Sequence, residues 1–448
     1  MTPIELIGFK ATVLKLVSDD KRSAAFDVLD HFFSKAKTLA EIDAIGELSL
    51  KTEHRDLYLK CAEAGYAMAL SSSEKEAART NLIKAYNIMN YPEKALHYIE
   101  LQLGMKPDDF DMICQKAANI ALLGDKQTSE ALILDLISKN PHKEIELGAM
   151  LSGKYLREGQ LSKGIYSFIE CFKPKHQLFE TQLGMKRWDG IVRPGMKLYV
   201  DGEGGIGDEI INIRFFDRIK RMGMRPILCS PDTKYYRDKN NLFRRHGIEI
   251  QNESFSIDSK SPWVPMMSLP AVLGLTEDTL WKGTYLSPLR NPKNELPKSR
   301  FKIGIKCSGN PFFAQDEYRK IPLEQMLACL PKGADIYYID TVAGHPGTID
   351  LADRINSWED TLDFIDQMDC IVSSCTSLVH AAGAIGKTTF VAVPIAEYYI
   401  WTSSRTDTSI PWYGSNFHVM KQKKLRDWTD PLASISTHVK TLFDNKLN

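Results

Sequence analysis

Along the 448-residue chain the apolar positions change their period once. From residue 81 to 174 they recur at helical spacing in paired segments, "TNLIKAYNIMN" then "PEKALHYIELQLG", and "QKAANIALLGD" then "TSEALILDLISKN". Pro107, Pro141 and Pro174 stand 34 and 33 residues apart, and the small residues Ala95, Ala131 and Gly164 stand 36 and 33 apart. One helix pair cannot bury its apolar face alone, so this period predicts stacked pairs in which small residues admit close approach and proline ends the second helix. After about residue 187 the pattern becomes short β-rich runs, "MKLYV", "RPILCS", "FKIGIK", "DIYYID", "CIVSSC" and "TTFVAV". They alternate with helical segments such as "INIRFFDRIKRMG", "LEQMLACL", "WEDTLDFIDQM" and "TSLVHAAGAIG". Such alternation predicts parallel sheets with helices on both faces.

The helical half resembles tetratricopeptide repeats in period, small residues and prolines, although the full aromatic consensus is absent. Residues 1–80 also read as helices, with degenerate repeats, as a capping or divergent portion. The array is either a shield for the second half or a groove that binds a protein partner or the acceptor. "LSPLRNPKNELPKSR", Leu286 to Arg300, holds three prolines without periodicity and reads as a linker. The expected fold is therefore α plus α/β: a tetratricopeptide-like helical domain over 1–186, then α/β lobes over 187–295 and 296–448.

Composition narrows the classes. Lys plus Arg and Asp plus Glu number 57 each, so no overall field draws the chain to nucleic acid or an anionic membrane. Locally, Arg214 to Arg245 holds ten basic residues against three acidic ones, either a steering patch or a solvated helix face. No apolar run reaches the roughly 18 residues of a membrane span, and the N-terminus lacks the features of a secretory signal, so a cytoplasmic, soluble protein is expected. The eight cysteines show no C-x-x-C pair and no nearby His cluster, which suggests neither a zinc site nor a disulfide framework.

Three post-strand turns carry the candidate chemistry. "DGEGGIGDEI" has four glycines in ten residues, between a strand and a helix, where backbone can approach a ligand. It matches neither G-x-G-x-x-G nor the Walker pattern. Asp208 within it is either a helix cap or a general base facing a cleft. In "CSGNPFFAQDEYRKIPL", Ser308, Gly309 and Asn310 form a polar loop. Arg319 there either forks onto a diphosphate or pairs with Asp316. In "SSCTSLVHAAGAIGKTTFVAVP", Thr376 and Ser377 are either donors to a phosphate or helix caps, and His380 is either functional or packed.

In this order the three turns resemble the ADP-heptosyltransferase family of GT-B glycosyltransferases and its tetratricopeptide-linked relatives. The first family segment matches at Glu203, Gly205, Gly207, Asp208, Ile210 and Arg214. The second matches at Ser308, Gly309, Asn310, Pro311, Asp316, Arg319, Ile321, Pro322 and Leu323. The third matches at Asp369, Val372, Ser373, Thr376, Ser377, His380, Ala382, Gly383, Ala384, Gly386 and Lys387. "VPMMSLPAVLG" is similar to a family segment between the lobes. The likeness covers about residues 190–440.

The resemblance implies a nucleotide-sugar donor, no metal or other cofactor, and Asp208 as base on the acceptor. It implies donor contacts by Ser308, Gly309, Asn310, Arg319, Lys320, Cys375, Thr376, Ser377 and His380, and an acceptor-side loop of Glu203, Gly205, Gly207 and Arg214. The chain departs from the family at Cys375, where an aspartate is usual, and at Cys307, Phe313 and Lys320, in place of tryptophan, histidine and serine. The expected activity is inverting sugar transfer to a hydroxyl or amide on an unknown acceptor: protein, glycan or lipid precursor. The rivals are a non-catalytic scaffold with a degenerate module, and a transferase acting on modified DNA bases.

Overall fold

The computed structural model describes residues 3–19, 21–170, 176–230, 238–252, 256–289, 295–298, 300–310, 313 and 316–447. Pro174, Cys171, Pro311 and part of the expected linker (290–294 and 299) lie outside the described residues. The chain divides into two compact units, Met1–Leu136 and Ile137–Asn448.

Consecutive helices build the first unit: α1 (Pro3–Ser18), α2 (Arg22–Lys35), α3 (Leu39–Lys51), α4 (Arg55–Met68), α5 (Ser72–Ile88), α6 (Pro92–Met105), α7 (Phe110–Leu122) and α8, which begins at Lys126 and ends at Lys139. From α1 to α7 each packs on the next. Local chemistry sets the starts. Thr38 with Glu41, and Ser71 with Glu74, form capping boxes, Asp109 caps α7, and Pro92 opens α6 where no amide partner is needed. Ala95 is fully buried as its spacing predicts, but Ala131 is exposed. The reason is register: buried Ser129 stands 34 residues after Ala95, at the repeat's own spacing, and takes the packed position.

The second unit opens with short helices α9 (Glu144–Gly148), α10 (Ser152–Arg157) and α11 (Leu161–Ile169). The first lobe follows as β1 (Lys197–Asp201), α12 (Ile206–Asn212), α13 (Phe216–Arg221), β2 (Arg225–Cys229), α14 (Lys239–Arg245), β3 (Glu249–Gln251), β4 (Trp263–Pro265), α15 (Leu269–Val272) and α16 (Glu277–Leu280). The second lobe comprises β5 (Lys302–Lys306), α17 (Asp316–Arg319), α18 (Leu323–Ala328), β6 (Asp335–Tyr338), β7 (Ile349–Asp350), α19 (Trp358–Gln367), β8 (Cys370–Ser374), α20 (Ser377–Ala384), β9 (Thr389–Val393), β10 (Phe417–Lys421) and α21 (Thr429–Leu447).

All strand pairs are parallel, in the orders β3-β2-β1-β4 and β10-β9-β8-β5-β6-β7. These are Rossmann-like orders, in which the strand sequence reverses beside the first strand of each sheet. The switch points fall between β1 and β4 and between β5 and β8. Helices and Rossmann-like lobes thus appear as the sequence leads one to expect. The helix read from "INIRFFDRIKRMG" is broken: a 3-10 turn, Ile213–Phe215, separates α12 from α13.

One apolar cluster runs through both lobes and the preceding helix pair, joining Leu156 and Ile165 to Ile210, Val264, Val379 and Trp412. A second fills the far side of the larger sheet, where α21 lays Leu432, Ile435 and Val439 over Ile303 and Val372. Beneath the glycine-rich turn sits a buried ionic group. Lys239, wholly buried, donates to Glu209 Oε2 at 2.6 Å, and the Ser230 hydroxyl donates to Oε1. Burial raises the Glu209 carboxyl above its ordinary value despite the opposing pull of Lys239. A β-carbon at Gly202 would stand 2.9 Å from Glu209 Oε1, so the turn and the ion pair pack as one piece. Lys239→Met is expected to destabilise the fold by about 3–5 kcal/mol, because it strands a buried carboxylate. Adding Glu209→Leu should recover most of that loss, both measured by chemical unfolding.

Candidate functional site

Ligand crevices in open parallel sheets lie beyond the carboxyl ends of the strands at the switch point. In the first lobe the loops there are Gly202–Gly205 after β1 and Met266–Ser268 after β4, tied together by Met267 N–H donating to Glu203 Oε1 at 3.1 Å. In the second they are Cys307–Asn310 after β5 and Cys375–Thr376 after β8. The Ser373 hydroxyl, donating to the Lys306 carbonyl at 2.8 Å, ties those strand ends.

The two crevices face each other across α12 and α20. A β-carbon built at Gly207 would lie 2.8 Å from His380 Cδ2 and 3.5 Å from Ser377 Cα, so the absent side chain is what lets the helices meet. Gly204 has φ +86° and Asp208 folded against it, a backbone state that a side chain there would strain. Asp208 accepts from Gly205 N–H at 2.9 Å through Oδ2, which is the cap, and from Tyr398 Oη at 2.7 Å through Oδ1, a donor from the opposite lobe.

Arg319 pairs with Asp316, whose Oδ1 accepts from Arg319 Nε at 2.7 Å and from Gly309 N–H at 2.9 Å. The same guanidinium donates through Nη1 to the Cys375 carbonyl at 2.9 Å, clasping the loops on either side of the switch point. Its Nη2 occupies the space a β-carbon at Gly309 would need, 1.9 Å away. Thr376 caps α20 by position with no side-chain bond to its amides, its hydroxyl lying 3.3 Å from Ser373 Oγ, and Ser377 is half-buried at the first turn. The Cys375 thiol is buried and pushed up to about 11, an inert group rather than an ionic acceptor.

His380 is boxed in. Its ring stacks on Trp401 at 5.1 Å, and Nδ1 is hydrogen-bonded to Tyr413 Oη at 2.8 Å. Burial first, then the charges of Arg214 and Arg319, lower its titration to about 3, so the ring is neutral near pH 7. Arg214 is an interlobe staple. It donates to the Ile211 and Trp412 carbonyls and the Tyr285 hydroxyl, with its guanidinium 4.5 Å from the Tyr285 ring and 5.0 Å from that of Tyr413. The structure therefore gathers Gly205, Gly207, Asp208, Arg214, Gly309, Arg319, Cys375, Thr376, Ser377 and His380. Ser308 lies beside Tyr338. Asn310 and Lys320 are exposed, and the Lys320 carbonyl accepts from Trp428 Nε1 on the far side of the sheet.

Sequence reasoning missed Tyr398, Tyr413, Trp401 and Asn212. The signal of the three aromatics was the density of "EYYIW" and "PWYG" after β9, while Asn212 left none. Much of the basic run is committed internally: Arg225 to Glu249, Arg245 to Glu359, Lys239 to Glu209. In the first unit a cavity of about 270 Å3 is lined in part by Asp43, Tyr58, Cys61, Asn81 and Lys84.

Glu203 sits instead in a side cluster with His176 and Asp201, whose ligand atoms lie within 4.8 Å of one another. Arg187 Nη2 stands 3.2 Å from His176 Nδ1, and a guanidinium can only donate. Nδ1 is thus the acceptor and Nε2 carries the proton, which it donates to Glu203. The arrangement reads as a hydrogen-bonded chain, Arg187 to His176 to Glu203, and a cation held by this cluster would displace the Nε2 proton.

The low value of His380 has a signed consequence. Below about pH 6.5 the unfolded chain binds a proton that the folded ring refuses until about pH 3, so this contribution is complete above 6.5 and is lost as pH falls. His380→Gln should lose about 2 kcal/mol less stability than the native chain between about pH 7 and pH 5, read from paired unfolding curves.

No protein-family model matches the chain, and no curated protein matches it either. Among solved structures, it is similar to the Escherichia coli ADP-heptose heptosyltransferase II, with 11% identity over 56% of this chain and 100% of that one and a TM-score of 0.36. It is similar to TibC, an iron-containing dodecameric glycosyltransferase of enterotoxigenic E. coli, with 11% identity over 57% and 78% and a TM-score of 0.38. It is similar also to a mutant O-GlcNAc transferase of Thermobaculum terrenum, with 12% identity over 98% and 93% and a TM-score of 0.37. These superpositions are distant, and the functional reading rests on the residues of the site.

Proposed function

We propose that the second unit is a glycosyltransferase that moves a sugar from a nucleotide-sugar donor to a hydroxyl or amide acceptor with inversion. The observation that carries this reading is the meeting of two switch-point crevices at Gly207, with Ser377 and His380 on the other side. A donor diphosphate fits against the N-terminal turn of α20, where free amides and the helix dipole favour an anion, next to the Arg319 clasp. The acceptor oxygen or nitrogen attacks the anomeric carbon as the bond from that carbon to the diphosphate oxygen breaks. The electron pair leaves with the diphosphate, and the acceptor proton passes to Asp208. A carboxylate has lone pairs beyond those used by Gly205 and Tyr398.

One observation favours a second reading, a module that binds nucleotide without turnover: Asp208 is engaged through both carboxylate oxygens, and Arg319 is tied to Asp316 and Cys375. A panel of nucleotides and nucleotide sugars separates the two. A true ligand at about 100 times its Kd adds roughly 2.7 kcal/mol and raises the melting temperature by a few degrees. Arg319→Ala is expected to abolish that shift. Asp208→Asn is expected to keep it while cutting turnover by about 100-fold or more. A thermal shift without turnover would establish the binding-only reading, and no shift with any nucleotide would remove both.

A further inference from the structure

We propose that Tyr398 is the positioning residue for Asp208 and that the helix pair α10–α11 holds Tyr398 in place, an inference that rests on reading Asp208 as the acceptor base. The carboxylate is fixed from two sides: Gly205 N–H at 2.9 Å from its own turn and Tyr398 Oη at 2.7 Å from the segment that follows β9. With Oδ2 used by the cap, the phenol sets the direction in which Oδ1 faces. Burial, then the charge of Asp208, raises the Tyr398 hydroxyl well above its ordinary value, so it stays protonated and can only act as the donor here.

The segment carrying Tyr398 is gripped on both flanks. Phe168 of α11 meets the Tyr398 ring edge-on at 5.0 Å and the Tyr399 ring at 5.0 Å. Arg157 of α10 is ion-paired with Glu397. Further on, Ser404 donates through its amide and hydroxyl to Glu277, at 3.0 and 2.6 Å. Asn212 closes the loop, donating to the Asp208 carbonyl at 2.8 Å and to Tyr399 Oη at 3.2 Å. A displacement of α11 therefore reaches Asp208 through one edge-on ring contact and one hydrogen bond. The other titratable groups around Asp208 are Glu203 and Glu209 on its own turn and helix, Tyr399 beside Tyr398, Arg214 beyond α12, and neutral His380 from α20.

Two measurements on the full chain test the proposal. In an unfolding double-mutant cycle, Tyr398→Phe and Asp208→Asn should be non-additive, with a coupling of about tenfold in the unfolding constant. Additive effects would overturn the contact. In the transferase assay, Tyr398→Phe should move the acid limb of kcat/KM upward by about one pH unit with donor KM unchanged, since the ionised carboxylate loses a donor. Phe168→Leu should lower kcat in the native background and have no effect in the Tyr398→Phe background. An unmoved acid limb, or an equal Phe168 effect in both backgrounds, sinks the positioning role. If the native chain turns over no donor, the transferase reading fails by itself, and the unfolding cycle still decides the contact.

Discussion

Helix α12 meets helix α20 with no side chain between them at residue 207, and that bare contact is the constraint on which the two-lobed unit depends. Each helix begins at the switch point of its own sheet, so bringing the two together brings the crevices together. A side chain at 207 would enter the ring of His380, which is itself held by Trp401 and Tyr413. Packed interiors yield little to such an intrusion, so the lobes would part instead. Arg214 acts in the same sense from the 3-10 turn that follows α12, reaching the Trp412 carbonyl of the other lobe and the ring and hydroxyl of Tyr285.

The closeness governs the electrostatics of the crevice. Arg214 of the first lobe and Arg319 of the second lie near a histidine that burial keeps neutral, so the crevice holds positive charge without a competing proton site at ordinary pH. The first lobe offers carboxylates: Asp208 at the crevice and Glu209 neutralised behind it by Lys239. Each wall thus carries both signs, Asp208 with Arg214 on the first lobe and Arg319 with Asp316 on the second.

Much of this was legible in the sequence because burial leaves a simple signature. Strands covered on both faces read as continuous apolar runs, and β1, β2, β5, β6, β8 and β9 announced themselves in that way. The strands left unread are β3, β4, β7 and β10. The first three are two or three residues long, too short for any period, and β4 contains Pro265. β10 is a full-length edge strand, and its alternation is interrupted by His418. The glycines of the first turn were readable as room left open. That the room at 207 is taken by a histidine 173 residues later is a tertiary fact with no local trace. The choice between cap and base at Asp208 also stayed open, since a carboxylate at that position satisfies the helix amide whether or not it meets a substrate. Arg319 resolved differently: its pairing with Asp316, three residues away, was within reach of spacing, whereas its grip on the Cys375 carbonyl was not.

That grip is directed at main chain. Arg319 holds residue 375 by an oxygen that every amino acid possesses, so the loop keeps its course whichever side chain stands there. The course of the loop is thereby independent of its side chain at this position, so the lining of the crevice at 375 can be exchanged without re-engineering the scaffold that frames it.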